Sequence, residues 1–160
     1  MTYVRDLQAT TKLKTAVINC GTPSSSAVGG VFSLSGTSTP NATISSNQLV
    51  LASGYHFYVE ASILVRNASR NGAVTWGFHD QSSYIGQEGF MNLATSLGAN
   101  ARISRRVARA LIINSGSNQT IDVRIKSLTG TNWTFTITAT GISTFNYVGY
   151  PSLRIWEVKA

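Results

Sequence analysis

Two histidines, six carboxylates and a single cysteine carry most of the catalytic and metal-binding potential of this 160-residue chain. A nucleophilic site needs an attacking group, a base and something to orient the base. The chain has no Gly-x-Ser-x-Gly elbow, no phosphate-cradling Gly-Lys-Ser/Thr and no His-Glu-x-x-His. His56 and His79 fall on phases of alternating runs that face solvent or a sheet edge, and read as structural or surface groups. Glycoside hydrolysis needs two opposed carboxylates, whereas Glu60, Asp122 and Glu157 each read as ordinary outward residues of strands. The nearest approach to a metal cluster is His79-Asp80 with Glu88 eight residues on. Its plainer reading is an Asp that initiates a turn. The expectation is a protein without catalytic activity, metal or cofactor.

Binding is better represented. Arg102, Arg105, Arg106 and Arg109 place four of nine arginines within eight residues. Such a run suits an acidic partner: a protein surface, an anionic glycan or nucleic acid. Nucleic acid is disfavoured, because no exposed aromatics interleave with the arginines to stack on bases. The bland alternative is a strand edge kept from aggregating by its charge. Tyr84, Phe90, Phe145, Tyr147 and Tyr150 fall in Gly/Asn/Ser-rich stretches that read as loops, where aromatic rings stack on sugars or seal the end of a sandwich. Trp76, Phe78, Trp133, Phe135 and Trp156 fall on apolar phases and read as core.

Charged residues are only 12% of the chain, about half the usual share. Ser, Thr, Asn and Gly together fill 63 of 160 positions, and 42% of residues are hydrophobic. That balance predicts a folded domain of many short strands joined by turns. The net charge of +7 bears on partners and solubility rather than on fold. No apolar stretch approaches a membrane span, and the first twenty residues lack a signal-peptide pattern. With Cys20 alone, no intrachain disulfide is expected, which suits maturation in a reducing cytoplasm.

Residues 1–12 read as an arm and 13–160 as one domain. A strand is expected over Leu13–Asn19 and a short apolar run over Val31–Leu34, with a polar loop through SGTSTPNATISSNQ. After the turn Ala52-Ser53-Gly54, Tyr55 to Arg66 alternates strictly and predicts one long half-buried strand. Val74-Trp76-Phe78, Ile121-Val123-Ile125, Trp133-Phe135-Ile137 and the closing Leu153–Val158 alternate similarly. The segment ARISRRVARALIIN fits helical spacing too, but Ala108–Ile113 is an apolar run broken only by Arg109 before Asn114-Ser115-Gly116-Ser117-Asn118, and a strand ending in a hairpin turn is the preferred reading. The whole predicts an antiparallel sandwich or barrel.

This order of pieces, closing on Ser-Leu-Arg-Ile-Trp-Glu-Val, resembles the tumour-necrosis-factor/complement-globular-head superfamily of ten-stranded jelly rolls. It is especially similar to the versions in bacteriophage virion proteins. Against that pattern, residues 80–104 look like a long insertion. The resemblance implies a homotrimer, with Trp133, Phe135, Leu153, Ile155 and Trp156 in the core or near the trimer axis. It also implies a virion location after synthesis in the host cytoplasm. The leading expectation is a decoration protein that cements an assembled capsid shell, using the arginine run against an acidic major capsid protein. A receptor- or glycan-binding fibre head is the alternative. A small-virus coat protein is the third, disfavoured because residues 1–14 hold only Arg5, Lys12 and Lys14.

Overall fold

The structure is a computed structural model that describes residues 13–67, 72–92, 102–103, 107–114, 116–135 and 151–160, with the backbone alone at positions 66, 67, 102 and 103. The N-terminal arm, Arg105, Arg106, Phe145, Tyr147 and Tyr150 lie outside the described residues. No helix occurs among the described residues.

Among the described residues thirteen strands follow one another: β1 (Lys14–Pro23), β2 (Phe32–Ser35), β3 (Ala42–Ser45), β4 (Gln48–Leu51), β5 (Tyr55–Ala61), β6 (Leu64–Asn67), β7 (Ala73–His79), β8 (Tyr84–Asn92), β9 (Arg102–Ile103), β10 (Ala108–Asn114), β11 (Gln119–Leu128), β12 (Trp133–Phe135) and β13 (Ser152–Lys159). Ten of them run in the hydrogen-bonded order β2-β1-β13-β5-β10-β8-β7-β11-β4-β3. The order folds over between β10 and β8, where Arg109 opposite Gln87 is the paired register. Two five-stranded antiparallel layers result, β2-β1-β13-β5-β10 and β3-β4-β11-β7-β8. At the far side Gly29–Val31 hydrogen-bonds β11 at Arg124 and Ile125, so the β1–β2 connection ties the layers there too. This is the jelly roll that the sequence predicts.

Period-2 patterning decides which side chains fill the space between layers. Ile18 and Cys20 of β1, Phe57, Val59 and Ala61 of β5, Ala108, Ala110 and Ile112 of β10, and Leu153 and Ile155 of β13 point inward from one layer. Val74, Trp76 and Phe78 of β7 and Ile121, Val123 and Ile125 of β11 meet them from the other. A fully buried side chain of this size contributes roughly 1.5–3 kcal/mol, and twelve large ones among the described residues are almost without exposure. The Trp76 indole N–H donates to the Ala61 carbonyl at 3.1 Å, so the largest buried ring leaves no orphan donor.

Several expectations are corrected. The run Tyr55–Arg66 is two strands. Ser62 bonds Ser152 of β13 through both backbone and hydroxyl, and β6 then leaves the layer to pair with β12 and β9 in a separate three-stranded sheet. That small sheet brings in Trp133 and Phe135, both buried, with Phe135 edge-on to Phe32 at 5.6 Å. The polar stretch after Ser35 contains β3, paired with β4 through a turn at Ser46-Asn47, both at positive φ. Asn114–Asn118 is no hairpin, because β10 and β11 belong to different layers. It is a crossover, held by buried Asn114, whose amide donates to the carbonyls of Leu51 and Ala52.

Candidate functional site

The outer face of the first layer is built by the residues that alternate with its core. On β1 these are Thr15, Val17 and Asn19, with Leu13 in phase just before them; on β13 they are Arg154, Trp156 and Val158; on β5, His56, Tyr58 and Glu60; on β10, Arg109, Leu111 and Ile113. Register aligns them in rows across the strands. One row is Val158, His56 and Ile113; the next is Thr15, Trp156, Tyr58 and Leu111; the third is Val17, Arg154, Glu60 and Arg109.

The first two rows are mainly apolar or aromatic, and Val17 of the third lies beside them. Leu13, Val17, Leu111 and Ile113 are 56%, 65%, 66% and 67% exposed, and of the large hydrophobics so exposed among the described residues only Val28 lies elsewhere. The rings of Tyr58 and Trp156 sit together at 5.4 Å. The Tyr58 hydroxyl donates to Glu60 at 3.0 Å, and Arg109 Nε meets the same carboxylate at 2.9 Å. Desolvation, then that hydrogen bond and the Glu60 charge, raise the Tyr58 pKa, so the phenol stays neutral at physiological pH.

The second layer turns a different face outward. Asp122 is 1% exposed although it points away from the core, because polar side chains cover it. Arg124 grips it with two hydrogen bonds of 2.6 and 2.7 Å, and the amides of Gln81 and Gln48 donate at 3.1 and 3.4 Å. That hydrogen bonding raises the Arg124 pKa further. Beside this cluster Tyr84 lies against Gly77, meets His79 edge-on at 5.1 Å, lies beneath Lys126 and donates to the Ile125 carbonyl. Lys126 also pairs with Glu88. A Leu-Ile-Val surface on one layer thus contrasts with a closed hydrogen-bonded network on the other.

The sequence-predicted residues are redistributed accordingly. Tyr84 and Phe90 belong to β8 and not to loops, and Tyr84 has its hydroxyl and ring surroundings already engaged. Their Gly-rich neighbourhood has a packing cause: Gly89 lies under the Trp76 indole, and Gly86, at φ +72°, lies against the Arg109 carbonyl. Of the arginine run, Arg102 is in the small sheet and Arg109 is paired with Glu60, so the two occupy different sheets. Leu153 and Ile155 are core, but Trp156 points outward. Glu157 correspondingly points inward and is 2% exposed, its carboxylate accepting the backbone and side-chain N–H groups of Asn41, with Lys14 at 3.9 Å. Among the described residues no three His, Cys, Asp or Glu side chains gather as metal ligands. The exposed apolar rows themselves went unassigned in the sequence. Their signal was Ala108–Ile113, apolar on both phases, a pattern that belongs to strands covered on both sides.

No protein-family model matches the chain. No curated protein matches it in sequence. Its backbone is similar to a crystal structure of murine APRIL at pH 8.0, with a TM-score of 0.54 and 7% identity over 93% of this chain and 100% of that one. A likeness at that identity establishes the fold: a tumour-necrosis-factor-like jelly roll.

Proposed function

We propose that this chain is a trimeric binding protein of a virus particle, and that copies meet through the outer face of β1, β13, β5 and β10. The observation that carries the assembly is that four of the five exposed large hydrophobics among the described residues lie on that one face. Monomeric proteins seldom leave contiguous apolar rows in water, and such rows mark association sites. A second copy suits the face because Trp156 and Tyr58 supply anchors, with Glu60 and the arginines at the margin. Three-fold closure follows the assembly implied by the resemblance to tumour-necrosis-factor-like heads.

The particle role rests on that resemblance and on charge. A rigid trimer carrying a net +7 per chain suits an acidic surface such as a shell of capsid subunits. It stabilises the assembled shell by binding it in preference to free subunits. Individual rim contacts are worth about 0.2–1 kcal/mol, and three copies on one body add them. The reading assigns no catalytic step to the chain.

The experiment is co-sedimentation of labelled protein with purified phage particles across a salt series. Attachment that weakens with salt, and weakens at lower salt for Arg105→Ser/Arg106→Ser, supports capsid decoration. Failure to attach to any particle while binding host cells or glycans supports the fibre-head alternative.

A further inference from the structure

We propose that the third row of the outer face, Val17, Arg154, Glu60 and Arg109, receives an acidic and apolar segment of a different protein, with Arg154 as the residue that selects it. The inference rests on the reading of this chain as a binder of acidic surfaces, and it names where on the described face that contact falls.

Register sets Arg154 of β13 and Arg109 of β10 on either side of Glu60 of β5, with Val17 of β1 beyond Arg154. All four alternate with core residues and so share the face that points away from the core. Arg109 Nε and the Tyr58 hydroxyl both meet Glu60 Oε1. Arg154 is exposed and makes no ion pair among the described residues. Whichever arginine takes Glu60, the row holds two guanidiniums against one carboxylate. One positive charge is left over.

The other carboxylates are committed elsewhere. Asp122 is gripped by Arg124, and Glu157 accepts the N–H groups of Asn41 beside Lys14. Glu88 pairs with Lys126, and Asp80 accepts from Ser82 and Ser83. Asp6, outside the described residues, completes the six of the chain. A second copy brings the same set, so the complement of this row is a different chain.

Glu60 also decides the chemistry of that complement. A nucleic acid or sulfated glycan laid along the row would set its repeating charges against this carboxylate. A single carboxylate on Arg154 avoids the clash, and a guanidinium grips it with two parallel hydrogen bonds. Val17, 65% exposed beside Arg154, and Trp156 in the adjoining row give an aliphatic neighbour of that carboxylate a place to lie. The row therefore suits a glutamate or aspartate next to an aliphatic residue.

The test is a nuclear magnetic resonance titration of the full chain at pH 7 with a blocked peptide, glycine-glutamate-leucine-glutamate-glycine. Its glutamine counterpart and a heparin hexasaccharide are run beside it. The glutamate peptide should shift the Arg154 Nε–H and the Val17 amide signals saturably, and the other two should not. Arg154→Gln should weaken binding about two- to fivefold. Arg154→Glu should abolish it and take up the lysine version of the peptide instead, with an unchanged circular dichroism spectrum because the side chain is exposed. Asp6→Asn should bind as the wild type does. Binding indifferent to both Arg154 variants, stronger binding of heparin at Arg154, or binding that appears only in Asp6→Asn overturns the inference. Salt-sensitive attachment of Arg154→Glu to particles, equal to that of wild type, also overturns it and leaves the acidic-surface reading standing. A wild type that binds neither peptide nor particle overturns both.

Discussion

Tyr58 and Trp156 lie directly opposite each other on β5 and β13, ring centroids 5.4 Å apart, on the side of the sheet that faces away from the core. A pair of large rings holds its place there at little entropic cost and offers a broad amphipathic surface. Leu111 extends the same row on β10. The sandwich therefore has a complete core between its layers and a second, unfilled apolar surface outside one of them.

Two glycines of β8 permit close approach, Gly86 to β10 and Gly89 to the Trp76 ring of β7. A Cβ at Gly89 would lie 2.2 Å from Trp76 Cε2, and one at Gly86 would lie 2.1 Å from the Arg109 carbonyl oxygen. Gly89→Ala must displace the Trp76 ring, and overpacking of that kind costs about 1–3 kcal/mol. Gly86→Ala adds the cost of a left-handed backbone. Both variants should melt at lower temperature than wild type, whereas Gly116→Ala, with open space around it, should melt close to it.

The turn between β7 and β8 should be acid-labile. The Asp80 carboxylate accepts the hydroxyl and backbone N–H of Ser82 and the backbone N–H of Ser83, which lower its pKa from 3.8 to about 2. A depressed carboxylate stabilises the fold above its unfolded pKa and loses that contribution as pH falls through the folded value. Unfolding followed between pH 4 and 2 should show this loss in the wild type. Asp80→Asn, which keeps an acceptor without the charge, should flatten it.

Cys20 should be chemically silent while the protein is folded. Complete burial pushes its thiol up to about 12 and keeps reagents away. A disulfide reagent at pH 8 should label it only as fast as the chain opens. Denaturant should raise the labelling rate by orders of magnitude.

Much of the fold was legible because alternation is a local signal. Phe57, Val59 and Ala61 face inward as their spacing requires. Where both phases of a strand are apolar, alternation alone cannot say which faces the core. In Leu-Arg-Ile-Trp-Glu-Val residue polarity pointed to Trp156 for the core or trimer axis and Glu157 for the surface, whereas the alternation set by Leu153 and Ile155 turns Trp156 outward and Glu157 inward. Asn41 and Lys14 accommodate the carboxylate there. Strand β3 was hidden for a related reason: in Ala-Thr-Ile-Ser the one large hydrophobic is Ile44, and the composition looks like a loop. Tyr84 looked like a loop residue because Gly86 and Gly89 flank it, yet those glycines answer to close packing against β10 and Trp76. The outer face was illegible as a site, since each of its rows draws on strands far apart in sequence.

Sedimentation equilibrium at pH 8, on the intact chain and on Leu111→Asp, tests the assembly face most directly. Leu111 is 66% exposed on the outer face, so the substitution leaves the core untouched and places a charge in the apolar row. The expected result is a mass three times the 17.1 kDa chain for wild type at micromolar concentration, and a folded monomer for Leu111→Asp with an unchanged β-sheet spectrum. A wild type that sediments as a monomer, or a trimer indifferent to Asp at position 111, would contradict the account.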